Sequence, residues 1–146
     1  LRRWALRPSG VSFGAAIGAC ATGSLWARGL ALLTEALQCR VGATLAGHNA
    51  AIDACARGLR WQWSLEVLVA MLRGGPRPGV VSYNSAISAC GKGQRWAEAL
   101  ALLEQARHGP VGCNEVTFGA AIGAAALAGH WVAALALLQA ATWALL

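Results

Sequence analysis

The sequence predicts an all-α solenoid built from tandem helical hairpins of about 35 residues each. Three observations predict it. Ile17, Ile52, Ile87 and Ile122 recur at a constant offset of 35 residues, and so do Trp26, Trp61, Trp96 and Trp131, the columns Leu30, Leu65, Leu100, Leu135 and Leu33, Leu68, Leu103, Leu138, and Cys20, Cys55, Cys90 with Ala125 fourth. Within a copy the period is helical: Tyr83, Ala86, Ile87 and Cys90 fall at i, i+3, i+4 and i+7, and Trp96, Leu100 and Leu103 at i, i+4 and i+7. Between the two stripes of each copy lies a Gly-containing turn, and between copies lie Gly- and Pro-bearing connectors that end one helix and re-aim the chain.

Residues 1–9 read as the tail of an earlier copy, because Arg3, Arg7, Pro8, Ser12 and Phe13 match Arg73, Arg77, Pro78, Ser82 and Tyr83 two periods on. The same register explains this Arg-rich start without a transit peptide. The first copy, residues 10–44, predicts helices at 11–22 and 26–38 around the turn ATGSL. The second, residues 45–79, predicts 46–57 and 61–72 around ARGLR and closes with GGPRPG. The third, residues 80–114, predicts 81–92 and 96–107 around GKGQR and closes with HGPVGCN, with Glu98, Glu104 and Gln105 on the polar face of its second helix. The fourth, residues 115–146, predicts 116–128 and 131–145 around LAGH and stops before its connector, so the chain reads as a window of a longer array. Its last helix is expected to expose an apolar face, since terminal repeats need polar caps.

Composition narrows the class. Hydrophobic residues make up 57% of the 146, and charged residues only 12%, against about 25% in an average soluble domain. Mean hydropathy is +0.50. Such a chain is embedded in a membrane or buries most faces of its helices. From Val116 to Leu146 there is no Asp, Glu, Lys or Arg, and GAAIG at 119–123 mimics a membrane packing motif. Yet the stretch keeps the register of residues 81–111, where Lys92, Arg95, Glu98, Glu104 and Arg107 take outward positions, so no membrane insertion is expected. Solenoid helices are sandwiched between neighbours, which accounts for the apolar content, and Gly14, Ala15, Ala16 and Gly18 allow close approach.

The net charge of +6 favours polyanionic partners. Cys20, Cys39, Cys55, Cys90 and Cys113 form an odd set without a CxxC pair, so neither a zinc site nor a disulfide framework is signalled. The repeated cysteines are expected to act as small hydrophobes, and the repeated tryptophans as core rather than as base-stacking platforms. His48 replaces an aromatic in its column, whereas His108 and His130 have no counterpart in other copies. No Ser/His/Asp, Cys/His or paired-carboxylate arrangement recurs, so a binding protein without catalysis, metal or cofactor is expected.

Residues 80–114, VVSYNSAISACGKGQRWAEALALLEQARHGPVGCN, resemble a pentatricopeptide repeat: an aromatic-Asn pair opens the first helix, followed by a Gly-Lys turn and an A-x-x-L-L second helix. The resemblance covers nearly the whole chain. It is good in the second copy and weaker in the first and fourth, where GAAIG replaces the Asn-bearing segment. It implies a right-handed superhelix that binds single-stranded RNA, one base per repeat, in organellar RNA processing, stability or editing in a chloroplast or mitochondrion. The implied base-selecting pairs are Asn84 with Asn114 in the third copy, Asn49 with Gly79 in the second and Gly14 with Thr44 in the first. The fourth copy has Gly119 and no partner. Val11, Ala46, Val81 and Val116 would be apolar platforms against the bases, and Arg57 and Lys92 would meet phosphates. An Asn amide offers donor and acceptor to a base edge, which glycine does not; Asn114, Thr44 and Ser9 are also ordinary helix N-caps. The competing function is a protein-binding helical scaffold, and other proteins are possible partners under either reading.

Overall fold

The computed structural model describes residues 10–23, 25–38 and 44–144. The expected tail at 1–9, the cap Ser9, part of the ATGSL turn, Cys39 and the last two residues lie outside them, as does the side chain of Val11. Eight helices follow in order among the described residues: α1 (Gly10–Thr22), α2 (Trp26–Gln38), α3 (Leu45–Arg57), α4 (Trp61–Gly74), α5 (Val80–Lys92), α6 (Trp96–His108), α7 (Glu115–Leu127) and α8 (Trp131–Ala144). Each bound falls within two residues of its sequence expectation, and none of the helices is long and apolar enough to cross a membrane.

The turn inside each hairpin is the same device in successive copies. The N–H of Arg60 donates to Cys55 O at 2.8 Å, and that of Leu59 to Ala56 O at 3.2 Å. Arg95 and Gln94 repeat this on Cys90 and Gly91, and His130 and Gly129 on Ala125 and Ala126. This is a Schellman closure, which needs one left-handed residue after the cap. That residue is Leu59 (φ 58), Gln94 (φ 58) or Gly129 (φ 78). The neighbouring glycines, Gly58 (φ −81) and Gly93 (φ −84), keep ordinary right-handed backbone.

The first helices α1, α3, α5 and α7 pack each on the next in a continuous row. Each second helix packs on its own first helix and on the following one, while consecutive second helices do not approach each other among the described residues. A two-layer row spaced more closely on one side curves towards that side, so the first-helix layer lines the inside of the curve. Close spacing there is set by small residues. A Cβ on Gly91 would stand 3.0 Å from Ala124 Cβ, and one on Gly14 would meet Gly47 Cα at 3.9 Å. Among the described residues, Gly18, Gly119 and Gly123 have nothing within 4 Å, so neither the GAAIG glycines nor Gly18 pack against a described helix.

Burial follows the repeated columns. Ile17, Ile52 and Ile87 are fully buried, and Leu33, Leu68 and Leu103 are buried beside them, each worth about 1.5–3 kcal/mol in removed apolar surface. In the fourth copy Ile122 is only half-buried, and Leu135 and Leu138 are exposed. The core of each copy is completed by the first helix of the next. Cys20, Cys55 and Cys90 are buried, and burial pushes the Cys55 and Cys90 thiols up to about 11 from 9.0, keeping them protonated and inert.

The tryptophans depart from the expectation of core packing. Trp26, Trp61 and Trp96 are half-buried, each laid across the inter-helix turn of the following copy. Trp26 covers Gly58, where a Cβ would fall 2.3 Å from its Cδ1, and Trp61 covers Gly93 in the same way at 2.3 Å. The guanidinium of Arg60 caps the Trp26 ring at 5.0 Å and that of Arg95 caps Trp61 at 4.4 Å. At the third junction the His130 ring lies against Trp96, tilted by 42° with ring centroids 4.1 Å apart. His130 therefore does have counterparts, Arg60 and Arg95, which residue type concealed. From the second copy on, this column holds a planar cation or aromatic ring, and the preceding tryptophan presents a π-face to it.

Candidate nucleic-acid interface

The residues that the resemblance singles out stand along the first-helix layer. Val81 and Val116 are 60% and 63% exposed, and Ala46 is exposed in the same column. Arg57 and Lys92 lie about three turns along the same helix faces as Ala46 and Val81, exposed at the last turns of α3 and α5. Their surroundings differ. Arg57 donates to Asp53 Oδ2 at 3.0 Å, whereas no ion pair holds Lys92 among the described residues. The structure also pairs Arg95 with Glu98 and Arg107 with Glu104. Arg2, Arg3, Arg7 and Arg40 are outside the described residues, so the described surface is less basic than the whole chain.

Beside this row, the amide-bearing positions meet across junctions. A Cβ on Gly14 would lie 3.5 Å from Thr44 Oγ1, so these two are neighbours. Thr44 meanwhile caps α3, its hydroxyl accepting Gly47 N–H at 3.1 Å, and its carbonyl receives Nδ1–H of the buried His48 at 3.0 Å. Half-buried Asn49 accepts a hydrogen bond at Oδ1 from Ser82 Oγ, and Ser82 Oγ accepts the Gly79 N–H at 3.1 Å. Asn49 and Gly79 are thus joined through Ser82. Gly79 has extended backbone and open space where a side chain would be.

The third junction is built differently. Asn114 caps α7 through Oδ1, which accepts Thr117 N–H at 3.0 Å and the Thr117 hydroxyl at 2.9 Å. The Thr117 oxygen in turn accepts Asn114 N–H at 3.2 Å. Asn84 is half-buried, and its Oδ1 is buried without a hydrogen-bond partner among the described residues. Gly119, at the same position in the fourth copy, faces open space. Ser82 and Thr117 escaped the sequence reading as site residues. The signal was present: they stand one period apart, two residues before Asn84 and Gly119, with Ser12 in the same column.

A model of the PPR repeat matches residues 81–108, which run from Val81 through the Gly-Lys turn to the end of α6. The third copy is therefore similar to a pentatricopeptide repeat. The match falls on one copy, whose 35-residue columns and turn geometry recur in its neighbours. Among solved structures, the crystal structure of the pentatricopeptide repeat protein PPR10 from maize aligns over 94% of this chain with a TM-score of 0.72 at 22% identity. That likeness is one of fold. The chain spans 20% of the maize protein's length. No curated protein matches the sequence.

Proposed function

We propose that this pentatricopeptide repeat chain binds single-stranded RNA along its first-helix layer, with residues 10–44, 45–79, 80–114 and 115–146 as successive reading units. One observation carries the reading: exposed Ala46, Val81 and Val116 form an apolar row whose neighbours are the amides Asn49, Asn84 and Asn114. Exposed valines in register contribute little to a core. They suit the faces of unstacked bases, while an amide at their side meets a base edge. Exposed Lys92 suits a phosphate backbone, and Arg57 less so because Asp53 shares its charge. Glycine at positions 14 and 119 leaves the outer copies little means of base selection, and Gly79 leaves the second copy with Asn49 alone, so the third copy is the main reader, with a pyrimidine as its expected base through Asn84 and Asn114.

The test is titration of the whole chain with short single-stranded and duplex RNAs at two salt concentrations. Single strands should bind better than duplex, with log K falling by about 0.7 per phosphate contact per tenfold rise in salt. Equal binding of duplex, or no salt dependence, would remove the reading. A role in organellar RNA processing, stability or editing, in a chloroplast or mitochondrion, rests on the family resemblance, and imaging of the tagged protein in cells tests the compartment. A second reading, a protein-binding scaffold, is favoured by the apolar face of α8, where Trp131, Leu135 and Trp143 are exposed. It predicts peptide binding indifferent to salt.

A further inference from the structure

We propose that Ser82 is a positioning residue that holds the Asn49 amide with its nitrogen turned outward, so that the second copy offers an RNA base a fixed hydrogen-bond donor. The inference rests on the RNA reading above and specifies how one unit of it works.

The Ser82 hydroxyl is fully buried and carries a single proton. Its oxygen receives the N–H of Gly79, one of the donors that the start of α5 leaves without an intrahelical partner. An oxygen already receiving that donor sends its own proton to the other polar atom it touches, Asn49 Oδ1. The amide atom facing Ser82 must then be the carbonyl oxygen, which orients the group. Nδ2 is left on the other side, with no hydrogen-bond partner among the described residues. Turning the amide over would set two donors against each other and leave a buried hydroxyl without an acceptor, a costly arrangement away from water.

The next junction shows what competes. Thr117 stands where Ser82 stands, but its proton goes to Asn114 Oδ1, at 2.9 Å. No described group reaches the buried Oδ1 of Asn84. The difference follows from the residue that precedes each helix: Gly79 has no side chain to compete for the hydroxyl, and Asn114 has one. In the second copy the amide with a captured oxygen is therefore Asn49, inside the helix. In the third it is Asn114, at the cap, and Asn84 can turn either edge outward.

The experiment uses the whole chain with Ser82→Ala, and with Ser82→Thr, which keeps the hydroxyl as Thr117 does. The first readout is the NMR signal of the Asn49 side-chain amide, which should move in S82A and stay near the parent in S82T. The second is binding of single-stranded oligoribonucleotides that differ only at the base facing the second copy. S82A should lower discrimination there about fivefold, leave the base facing the third copy unaffected, and S82T should restore it. Should S82A unfold the chain, Gly79→Asn replaces it: the site is open and extended, and the new amide should capture the Ser82 hydroxyl and move the Asn49 signal. An Asn49 signal unmoved in S82A or G79N overturns the proposal, as does unchanged discrimination in S82A when the parent chain discriminates. If the parent binds no single-stranded RNA at all, the RNA reading fails, and with it the donor's role, while the amide signal still decides the orientation.

Discussion

At the scale of single residues, the absence of one Cβ governs how copies join. Gly93→Ala would drive a methyl to 2.3 Å from Trp61 Cδ1 and 2.8 Å from its Cγ, near the root of the ring rather than its mobile end. The tryptophan must move, and the chain should lose about 1–3 kcal/mol, read by urea denaturation. Gly119→Ala is the control: with nothing within 4 Å, it should gain up to about 1 kcal/mol from helix propensity. Charge at this scale is also set by neighbours. Lys92→Ala should weaken RNA binding for all sequences alike, more than Arg57→Ala, because Asp53 already pairs with Arg57. Asp53→Asn should strengthen binding and steepen its salt dependence. Equal losses for the two cations, measured by anisotropy at fixed salt, would contradict that ordering.

At the scale of elements, helix bounds were legible because apolar period, capping residues and glycine turns all agree. The Thr44 and Asn114 caps were visible as residue types, and the structure makes both bonds. What escaped was the left-handed residue of each turn. Glycine is its usual occupant, yet Gly58 and Gly93 stand one position earlier and Leu59 and Gln94 take the φ of 58. A side chain in that region costs about 1–2 kcal/mol. Gln94→Gly should therefore raise stability by a comparable amount, less the entropy gained by the unfolded chain. Thermal unfolding checks it, and a lowered midpoint would show that Gln94 does something the backbone does not reveal. The candidate site was legible in part for the same reason. Asn49, Asn84 and Asn114 were found by column, but which of their oxygens is captured depends on Ser82 and Thr117 from the following helix.

At the scale of the molecule, stability is a sum over junctions rather than over one core. Each first helix closes the hairpin before it, and α8 has no described helix against its outer side. Trp131 is 68% and Trp143 75% exposed, with Val132, Leu135 and Leu138 beside them, and an apolar groove opens between Gly129, Trp131 and Ala136. A patch of this kind promotes association. The chain should self-associate in sedimentation experiments, and Leu135→Lys with Leu138→Glu should render it monomeric without lowering its unfolding midpoint. A parent chain that stays monomeric at high concentration would refute this.

The sequence by itself determined the repeat, the helix pairs, and the buried isoleucine, leucine and cysteine columns, because these rest on local period and on residues that recur at one spacing. Only the tertiary structure decided that the tryptophans cover the next copy's turn, that His130 stands in for Arg60 and Arg95, and that Asn49 is held while Asn84 is not. Each of these is a contact between neighbouring copies. A repeat period records that such positions recur, but which groups meet across a junction depends on how one hairpin is laid against the next.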